Sequence, residues 1–425
     1  MTLPEEFTTY TRALMGEERF ARFLGALDEP APVSIRVNPF KAEATPETGA
    51  DRMAWCRGGY YLDSRPAFTF DPLLHAGAYY VQEASSMFID HVIRQFVHAP
   101  VTALDLCAAP GGKTTCLRAA LPEGSRLYSN EPHPKRAQIL AENVVKFGHP
   151  EVVVTNNYAI DYQRAGLRFG LILADMPCSG EGMFRKDPES IGEWSPANVE
   201  KCAALQRSIL ADIWPCLLPG GLLIYSTCTF NAHENEDNIA FAVEELGAEP
   251  VAIPVEEAWR VAGPLTGPHP ICRFIPGTTR GEGLAVALLR KPETAADLPT
   301  RDRGKGHTTP LLRVLSDGVK PPQVKGKKTL PDVSQALTIL DEANPYPRVD
   351  VGYDEAIAYL RRESIALPAA APKGLVTVCH EGFALGFAKN LGTRANNLYP
   401  QEWRIRSTHR PEDRPVVGLT PIVHP

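Results

Sequence analysis

The sequence lacks a long apolar run, and its cysteines lack the spacing of a structural metal site or a disulfide framework. No apolar stretch approaches the roughly 20 residues of a membrane-spanning helix, and the N-terminus has no basic segment followed by an apolar core. The nine cysteines include no Cys-x-x-Cys pair and no cysteine and histidine set with zinc-finger spacing. We therefore expect a cytoplasmic protein with reduced cysteines, no membrane partner and no metal ion.

Two common nucleotide-binding fingerprints are also missing. The segment Gly112-Lys-Thr resembles the end of a phosphate-binding P-loop, but Cys107 stands where that motif requires a glycine. The Gly-x-Gly-x-x-Gly pattern of dinucleotide-binding domains is absent. These gaps argue against a P-loop enzyme and against a nicotinamide or flavin enzyme.

The net charge of −6 is low for a protein that binds nucleic acid, but the charge is unevenly spread. Residues 301–425 hold 18 Lys and Arg against 13 Asp and Glu, a net +5, so residues 1–300 carry −11. Because phosphates are attracted by local patches, an acidic total does not exclude an RNA partner. An ordinary solvated surface with uneven charge explains the composition equally well.

The pattern of apolar residues changes along the 425 residues, a length that favours two or three domains. Residues 1–90 combine a helix-like stretch over 7–27 with a strand-like alternation over 33–38, which predicts a small α/β module. Residues 91–291 alternate strands with amphipathic helices, which predicts an α/β fold with a doubly wound, Rossmann-like parallel sheet. Strands are expected over 101–107, 126–131, 152–155, 171–174 and 222–225, and helices from Lys113 and over 134–147.

The remaining chain reads as a linker and a separate domain. Residues 292–309 are rich in Pro, Thr, Gly and charge and have no apolar period, which is typical of a linker. Residues 310–425 form the predicted C-terminal domain. Within it, short strands are expected over 374–378, 383–387 and 402–406, and a helix over 353–362.

A glycine-containing turn follows the first strand of the predicted sheet, where open parallel sheets bind ligands. Pro110, Gly111 and Gly112 make this turn tight and free of bulky side chains, so backbone amides can approach a ligand. Glu131 closes the second strand, where a carboxylate can accept hydrogen bonds from ribose hydroxyls. A ribose site without a phosphate cradle fits S-adenosyl-L-methionine, although glycines also make strand-to-helix turns without any ligand.

Two cysteines follow later strands of the sheet, Cys178 in Asp175-Met-Pro-Cys and Cys228 in Tyr225-Ser-Thr-Cys. A thiolate that adds to carbon-6 of a cytosine makes carbon-5 nucleophilic toward a methyl donor. Asp175 ends its strand close to Cys178, where its carboxyl group can hydrogen-bond the base. The pair therefore predicts covalent chemistry on a pyrimidine. Other cysteines are expected to be small buried apolar residues, namely Cys56, Cys116, Cys202, Cys216, Cys272 and Cys379.

Several motifs, in this order along the chain, resemble the Sun-type RNA cytosine-C5 methyltransferases, most closely the bacterial small-subunit ribosomal RNA methyltransferase F group. The resemblance covers nearly the whole chain. The matching stretches are Ser34-Ile-Arg-Val-Asn, Tyr80-Val-Gln-Glu-Ala-Ser-Ser-Met, Cys107-Ala-Ala-Pro-Gly-Gly-Lys, Asp175-Met-Pro-Cys-Ser-Gly-Glu-Gly-Met-Phe-Arg-Lys, Trp194-Ser-Pro and Tyr225-Ser-Thr-Cys-Thr.

The resemblance implies roles for both cysteines. Cys228 is the expected nucleophile, and Cys178 is expected to help release the methylated RNA by promoting elimination. At the position after the third strand where the family commonly has an acidic residue that contacts the adenine, this chain has Tyr158; Asn156, Asn157 or Tyr158 is the expected replacement. The implied cofactor residues are Cys107, Ala108, Ala109, Pro110, Gly111, Gly112, Lys113, Glu131 and Asp175.

The stretch from Leu385 to Arg406 resembles the PUA-like RNA-binding module of this group. RNA is the expected partner, with small-subunit ribosomal RNA favoured as the substrate. Transfer RNA methylation and a noncatalytic role as a ribosome-assembly factor are the alternatives. Expected RNA contacts come from the cations Lys389, Arg394, Arg404 and Arg406 and from the aromatic faces of Tyr399 and Trp403.

Overall fold

The structure is a computed structural model. It describes residues 1–45, 51–295, 312–325, 328–407 and 417–422. The predicted linker over 292–309 lies outside the described residues, apart from 292–295. No helix in the described ranges is long and apolar enough to cross a membrane.

The N-terminal part contains two helices followed by a four-stranded sheet of order β3-β4-β1-β5. The helical stretch expected over 7–27 is interrupted at Gly16, whose positive φ of 78° ends the first helix and separates it from the second. The helix-like stretch therefore forms two helices that meet at this residue. The elements are α1 (Glu5–Met15), α2 (Glu17–Leu27), β1 (Val33–Val37), β2 (Ala42–Ala44), β3 (Asp51–Arg52), β4 (Gly59–Leu62), α3 (Pro72–His75), β5 (Tyr79–Val81) and α4 (Phe88–Phe96).

The central part is a sheet flanked by helices, which confirms the predicted Rossmann-like fold. The expected strand over 152–155 and the helix over 134–147 have the bounds that the apolar pattern predicts. The elements are β6 (Thr102–Asp105), α5 (Gly112–Ala120), β7 (Arg126–Asn130), α6 (Pro134–Phe147), β8 (Val152–Thr155), α7 (Ala159–Ala165), β9 (Phe169–Asp175), α8 (Glu189–Glu193), α9 (Pro196–Ile213), β10 (Leu217–Thr227), α10 (Glu236–Leu246), β11 (Glu249–Val251), β12 (Cys272–Phe274) and β13 (Leu284–Arg290).

The strand order of the central sheet places a crevice at its centre. The parallel strands run β10-β9-β6-β7-β8, and β13 pairs antiparallel with β10. The order reverses between β6 and β9, because β7 and β8 lie on one side of β6 while β9 and β10 lie on the other. Ligands of such sheets bind outside the carboxyl ends of the strands at this switch point. Leu171, Leu173 and Ile224 pack into the core on one face, and Ile172 and Leu223 pack into the core on the other.

The C-terminal part forms a four-stranded sheet of order β17-β18-β19-β20, and two of its other strands pair with strands of the preceding parts. Strand β14 pairs antiparallel with β8, and β21 pairs with β2. The expectation of a strand over 402–406 is wrong, because Gln401–Trp403 is a short 3₁₀ helix. The elements are β14 (Val314–Asp317), β15 (Gln323–Lys325), β16 (Lys328–Leu330), α11 (Val333–Leu337), β17 (Arg348–Asp350), α12 (Tyr353–Leu360), β18 (Gly374–His380), β19 (Phe383–Asn390), β20 (Ala395–Asn397) and β21 (Leu419–Pro421).

Candidate active site

The two predicted cysteines meet at the carboxyl edge of the sheet. In the parallel register of β9 and β10, Asp175 lies opposite Ser226, so the loops that follow these strands begin side by side. The Sγ atoms of Cys178 and Cys228 are 3.2 Å apart, and both side chains are half-buried. Two thiols that are fifty positions apart in the sequence therefore face one site.

The surroundings of Cys178 favour its protonated form. The hydrogen bond with Cys228, burial and the nearby Glu234 carboxylate raise the pKa of the Cys178 thiol well above its ordinary value. Either sulfur can donate the hydrogen bond that joins the two thiols.

Asp175 and Lys113 form an ion pair beside the thiols. The Lys113 Nζ lies 3.0 Å from Asp175 Oδ2, and the Ser226 hydroxyl donates to Asp175 Oδ1 at 2.7 Å. Burial lowers the pKa of Lys113, but the attraction of Asp175, with a contribution from Cys228, raises it overall. The lysine expected at the cofactor therefore also places a positive charge near the Cys228 sulfur.

Glu181 joins the loop of Cys178 to the loop of Cys228. Its side chain is buried, and Oε2 accepts hydrogen bonds from the backbone N–H groups of Phe230 and Asn231 at 2.6 and 3.0 Å. Oε1 accepts from Trp194 Nε1 and from Asn231 Nδ2, both at 3.0 Å. The backbone N–H of Gly182 also donates to the Cys228 carbonyl at 2.7 Å. These contacts hold the loops of Cys178 and Cys228 next to each other.

Glu234 is a second buried carboxylate that fixes the Cys178 loop. It accepts from the Ser179 backbone N–H at 3.0 Å, from Gln206 Nε2 at 2.7 Å and from Asn231 Nδ2 at 2.9 Å. Burial raises the pKa of Glu234, and the hydrogen bonds from Ser179 and Asn231 oppose the rise. Neither Glu181 nor Glu234 was expected from the sequence, although each lies within a few residues of a predicted cysteine.

The glycine turn after β6 has a backbone that favours glycine. The Ala109–Pro110 peptide bond is cis, and Gly111 has a φ of 113° that side-chain-bearing residues rarely adopt. A Cβ at Gly112 would lie 3.2 Å from the ring of Tyr80, so this position is kept small by the N-terminal module. The Ala108 N–H donates to the Asn130 carbonyl at 2.7 Å, which ties the turn to the end of β7.

A buried arginine of the N-terminal module holds the helix that begins at this turn. Arg36 Nε donates to Gln82 Oε1 at 2.8 Å, and Arg36 Nη2 donates to the Thr115 hydroxyl at 2.5 Å and to the Gly112 carbonyl at 3.4 Å. Arg36 is the only charged residue of the strand over 33–37, but the sequence does not indicate its partner. The N-terminal module thus helps to position the cofactor turn.

The polar groups around the turn fit a nucleoside cofactor with an amino acid tail. Two buried atoms, Asp105 Oδ1 and Gln82 Nε2, have no hydrogen-bond partner among the described residues, and each is free to bind a polar ligand group. Glu131 is buried at the end of β7; its Oε1 accepts from the His133 N–H at 2.9 Å, and Oε2 faces Arg136 at 3.5 Å. Its remaining lone pairs can accept from ribose hydroxyls.

The comparison with known proteins decides the family. The chain is 31% identical over 329 residues to ribosomal RNA small subunit methyltransferase F of Serratia proteamaculans, and the match covers 73% of this chain and 68% of that protein. The chain belongs to this family. It is also 27% identical to the protein of the same name from Enterobacter sp. (strain 638), over 94% of this chain and 95% of that protein.

Family models match the three parts of the chain separately. The model for 16S rRNA methyltransferase RsmB/F matches residues 98–290, the RsmF N-terminal domain matches residues 3–84, and the methyltransferase RsmF PUA domain matches residues 346–405. The C-terminal β-structure is therefore a PUA domain, as expected.

Two solved structures share the fold of the RsmB/F core. A methyltransferase homolog protein from Pyrococcus horikoshii has a TM-score of 0.57 at 25% identity, over 68% of this chain and 95% of that one. NSun6 from Pyrococcus horikoshii, solved with SFG, has a TM-score of 0.56 at 19% identity, over 68% and 98%. They support the Rossmann-like methyltransferase architecture.

The family's usual adenine-contacting acid is absent from this chain. Two of the three residues expected to replace it make hydrogen bonds within the protein. Asn156 is buried, and its Nδ2 donates to the carbonyls of Glu131 and Pro132 at 2.7 and 2.9 Å. Asn157 exchanges hydrogen bonds with the backbone of Arg313. Tyr158 is 70% exposed. Of the three side chains, Tyr158 is the one that is free to cover an adenine.

The aromatic residues expected to stack on RNA in the PUA domain have structural roles. Tyr399 is fully buried and packs against Tyr359, so the expectation of an RNA-stacking face there is wrong. The Trp403 ring receives the Lys146 ammonium at 5.3 Å and thus packs against the methyltransferase domain. The four expected cations are exposed at the surface, namely Lys389, Arg394, Arg404 and Arg406.

The raised pKa of Asp105 makes the stability of the protein depend on pH. Burial raises its pKa from an ordinary 3.8 to about 7, with the Thr114 hydroxyl opposing the rise. Because the folded state holds this proton more tightly, the contribution of Asp105 is full below pH 4 and is lost as the pH rises through about 7. Asp105→Asn imitates the protonated acid. We expect its unfolding free energy, from urea denaturation, to exceed that of the unchanged protein by more at pH 8 than at pH 5. About two of the pKa units lie between pH 5 and pH 7, so the excess should grow by about 3 kcal/mol. An equal difference at both pH values would contradict this.

Proposed function

We propose that this protein transfers a methyl group from S-adenosyl-L-methionine to carbon-5 of a cytosine in small-subunit ribosomal RNA. The observation that carries the proposal is the meeting of two thiols, 3.2 Å apart, beside the Lys113–Asp175 ion pair and the glycine turn. Membership of the RsmB/F family supports the RNA substrate, and the names of the relatives support the small ribosomal subunit. All nine cysteines are free thiols, which supports a reducing cytoplasm as the location.

The reaction that we propose begins with Cys228. Its sulfur adds to carbon-6 of the cytosine, which turns carbon-5 into an enamine-like nucleophile that attacks the methyl group. S-adenosyl-L-methionine, when bound, supplies that methyl group as an electrophile. A base then takes the carbon-5 proton, the bond between carbon-6 and sulfur breaks, and Cys228 leaves as a thiolate, which restores the aromatic ring. Cys178 lies within 3.2 Å of the sulfur that must leave, so it is placed to promote this elimination.

Asp175 and Lys113 prepare the base for addition. One Asp175 oxygen is held by Lys113 and the other by Ser226, so the carboxylate has a fixed direction while 28% of its side chain stays exposed to the site. A fixed carboxylate can accept a hydrogen bond from the exocyclic amine of cytosine and orient the ring. The Lys113 charge favours negative charge that develops near Cys228 during addition.

We propose that three modules share this task. Residues 1–90 form an N-terminal RNA-binding module, residues 91–291 the methyltransferase domain and residues 310–425 the PUA-like RNA-binding domain, with a linker over 292–309. The ranges matched by the three family models support this division. The exposed cations of the PUA domain supply phosphate contacts.

The test is an assay on separated RNA pools. The protein is incubated with labelled S-adenosyl-L-methionine and either small-subunit ribosomal RNA or transfer RNA, both from cells that lack the protein, and the nucleosides are then separated. We expect labelled 5-methylcytidine from ribosomal RNA alone. Label in transfer RNA alone would favour the transfer RNA alternative, and cofactor binding without label in either pool would favour a noncatalytic assembly factor.

A further inference from the structure

The distance between the two site thiols has a consequence beyond methyl transfer. A disulfide bond joins sulfurs at about 2.05 Å, and the Sγ atoms of Cys178 and Cys228 already lie at 3.2 Å in the reduced protein. The two loops are also linked by short backbone hydrogen bonds, from Gly182 N to the Cys228 carbonyl at 2.7 Å and from Met176 N to the Ser226 carbonyl at 2.8 Å. The sulfurs therefore have about 1 Å left to close between two loops that are already held together.

We propose that Cys178 and Cys228 form an oxidation site, at which a peroxide converts the two thiols into a reversible intramolecular disulfide. The Cys228 sulfur attacks one peroxide oxygen, the O–O bond breaks, and the departing hydroxide takes a proton, which leaves a sulfenic acid on Cys228. The Cys178 sulfur then attacks the Cys228 sulfur, the S–O bond breaks, and the departing hydroxide takes the Cys178 proton. Two thiols and one hydrogen peroxide thus give one disulfide and two water molecules.

The surroundings of Cys178 support this order of events. The hydrogen bond with Cys228, burial and the Glu234 carboxylate raise the pKa of Cys178, which makes Cys178 the poorer first nucleophile toward peroxide. Cys178 is then the resolving residue, already in contact with the oxidised sulfur. A resolving thiol this close intercepts the sulfenic acid before further, irreversible oxidation.

A second thiol pair in the same chain provides an internal comparison. Cys56 and Cys116 are also neighbours, since each thiol shifts the pKa of the other, but they are 4% and 0% exposed within the hydrophobic core. Peroxide has no open path to these sulfurs, whereas Cys178 and Cys228 are half-buried at the edge of the sheet. Access, and not proximity alone, therefore separates the reactive pair from the inert pair.

Intact-mass and peptide analysis of the full-length protein tests the proposal. The reduced protein is exposed to hydrogen peroxide, its intact mass is measured, and the remaining thiols are then blocked before digestion. We expect a loss of about 2 Da, for two hydrogens, a crosslinked peptide that contains Cys178 and Cys228, and full reversal by dithiothreitol. Cys178→Ala and Cys228→Ala should each abolish the crosslink, while Cys202→Ala, which alters a half-buried cysteine outside the pair, should retain it.

Two results would overturn the proposal: Cys228 oxidised to a sulfinic acid with no crosslinked peptide, or crosslinking of Cys56 to Cys116 to the same extent. Oxidation should also abolish RNA methylation. That expectation rests on the proposed function, because it requires both thiols to act in the reaction. The formation of the crosslink does not depend on the proposed function. If the disulfide forms and reverses but the reduced protein methylates no RNA, the proposed function fails and the oxidation site stands.

Discussion

Cys178→Ala is expected to leave the protein covalently attached to its RNA, whereas Cys228→Ala is expected to abolish both turnover and attachment. Without the neighbouring thiol that promotes elimination, the Cys228 sulfur stays bonded to carbon-6 of the methylated base. Without Cys228 the bond never forms, and methylation should fall by a factor on the order of 10⁴ or more. Denaturing gels of protein mixed with RNA and labelled cofactor measure both effects, since the adduct resists denaturation and carries the labelled methyl group.

Cys202→Ala is the control for this pair of variants. Cys202 is half-buried on α9 and belongs to neither cysteine pair, so its loss should leave methylation unchanged and give no adduct. An adduct in Cys228→Ala that is absent in Cys178→Ala would exchange the two roles. If neither variant formed an adduct while both kept their activity, the covalent mechanism would be wrong.

Glu181→Ala is expected to cause the largest loss of stability among substitutions near the site. The carboxylate is 1% exposed and accepts four hydrogen bonds, two from the backbone N–H groups of Phe230 and Asn231 and two from the side chains of Trp194 and Asn231. An unsatisfied buried donor costs about 1–3 kcal/mol. After partial relaxation we expect a loss of about 3–5 kcal/mol in unfolding free energy, measured by urea denaturation.

Two further variants separate the hydrogen-bond network from a general effect of removing charge. Glu181→Gln keeps one acceptor oxygen but turns an amide toward two donors, so its loss should fall between those of the alanine variant and the unchanged protein. Glu193→Ala removes an exposed glutamate on α8 and should change stability by less than about 0.5 kcal/mol. A loss below about 1 kcal/mol for Glu181→Ala would show that these loops are held by other contacts.

Local patterns predicted the elements of the methyltransferase core well. Helix α6 and strand β8 have their expected bounds because their apolar residues recur at helical and strand spacing over a whole element. The expectations that failed lie where tertiary contacts override such patterns. The alternation over 402–406 indicated a strand, yet Trp403 lies in a 3₁₀ turn where its ring meets Lys146 of α6. Tyr399 is another example, since an amphipathic residue at a predicted surface is buried beside Tyr359.

The residues that hold the site in place could not be predicted from the sequence, for a related reason. Arg36 reaches the cofactor helix from the N-terminal module, and Glu181 reaches backbone groups some fifty residues away. Neither contact leaves a periodic trace, because a single buried charged residue has no local partner that marks it. The resemblance to a family named the motifs that contain these residues but did not assign them a role.

The sequence by itself determined the order of strands and helices, the glycine turn and the two cysteine motifs, because these depend on residues that are neighbours along the chain. Only the tertiary structure decided that the two thiols lie 3.2 Å apart, that the pKa of Cys178 is raised there and that Lys113 pairs with Asp175 beside them. Those facts depend on distances between loops that follow different strands. The parallel register of β9 and β10 sets these distances, and that register is established only when the sheet is assembled.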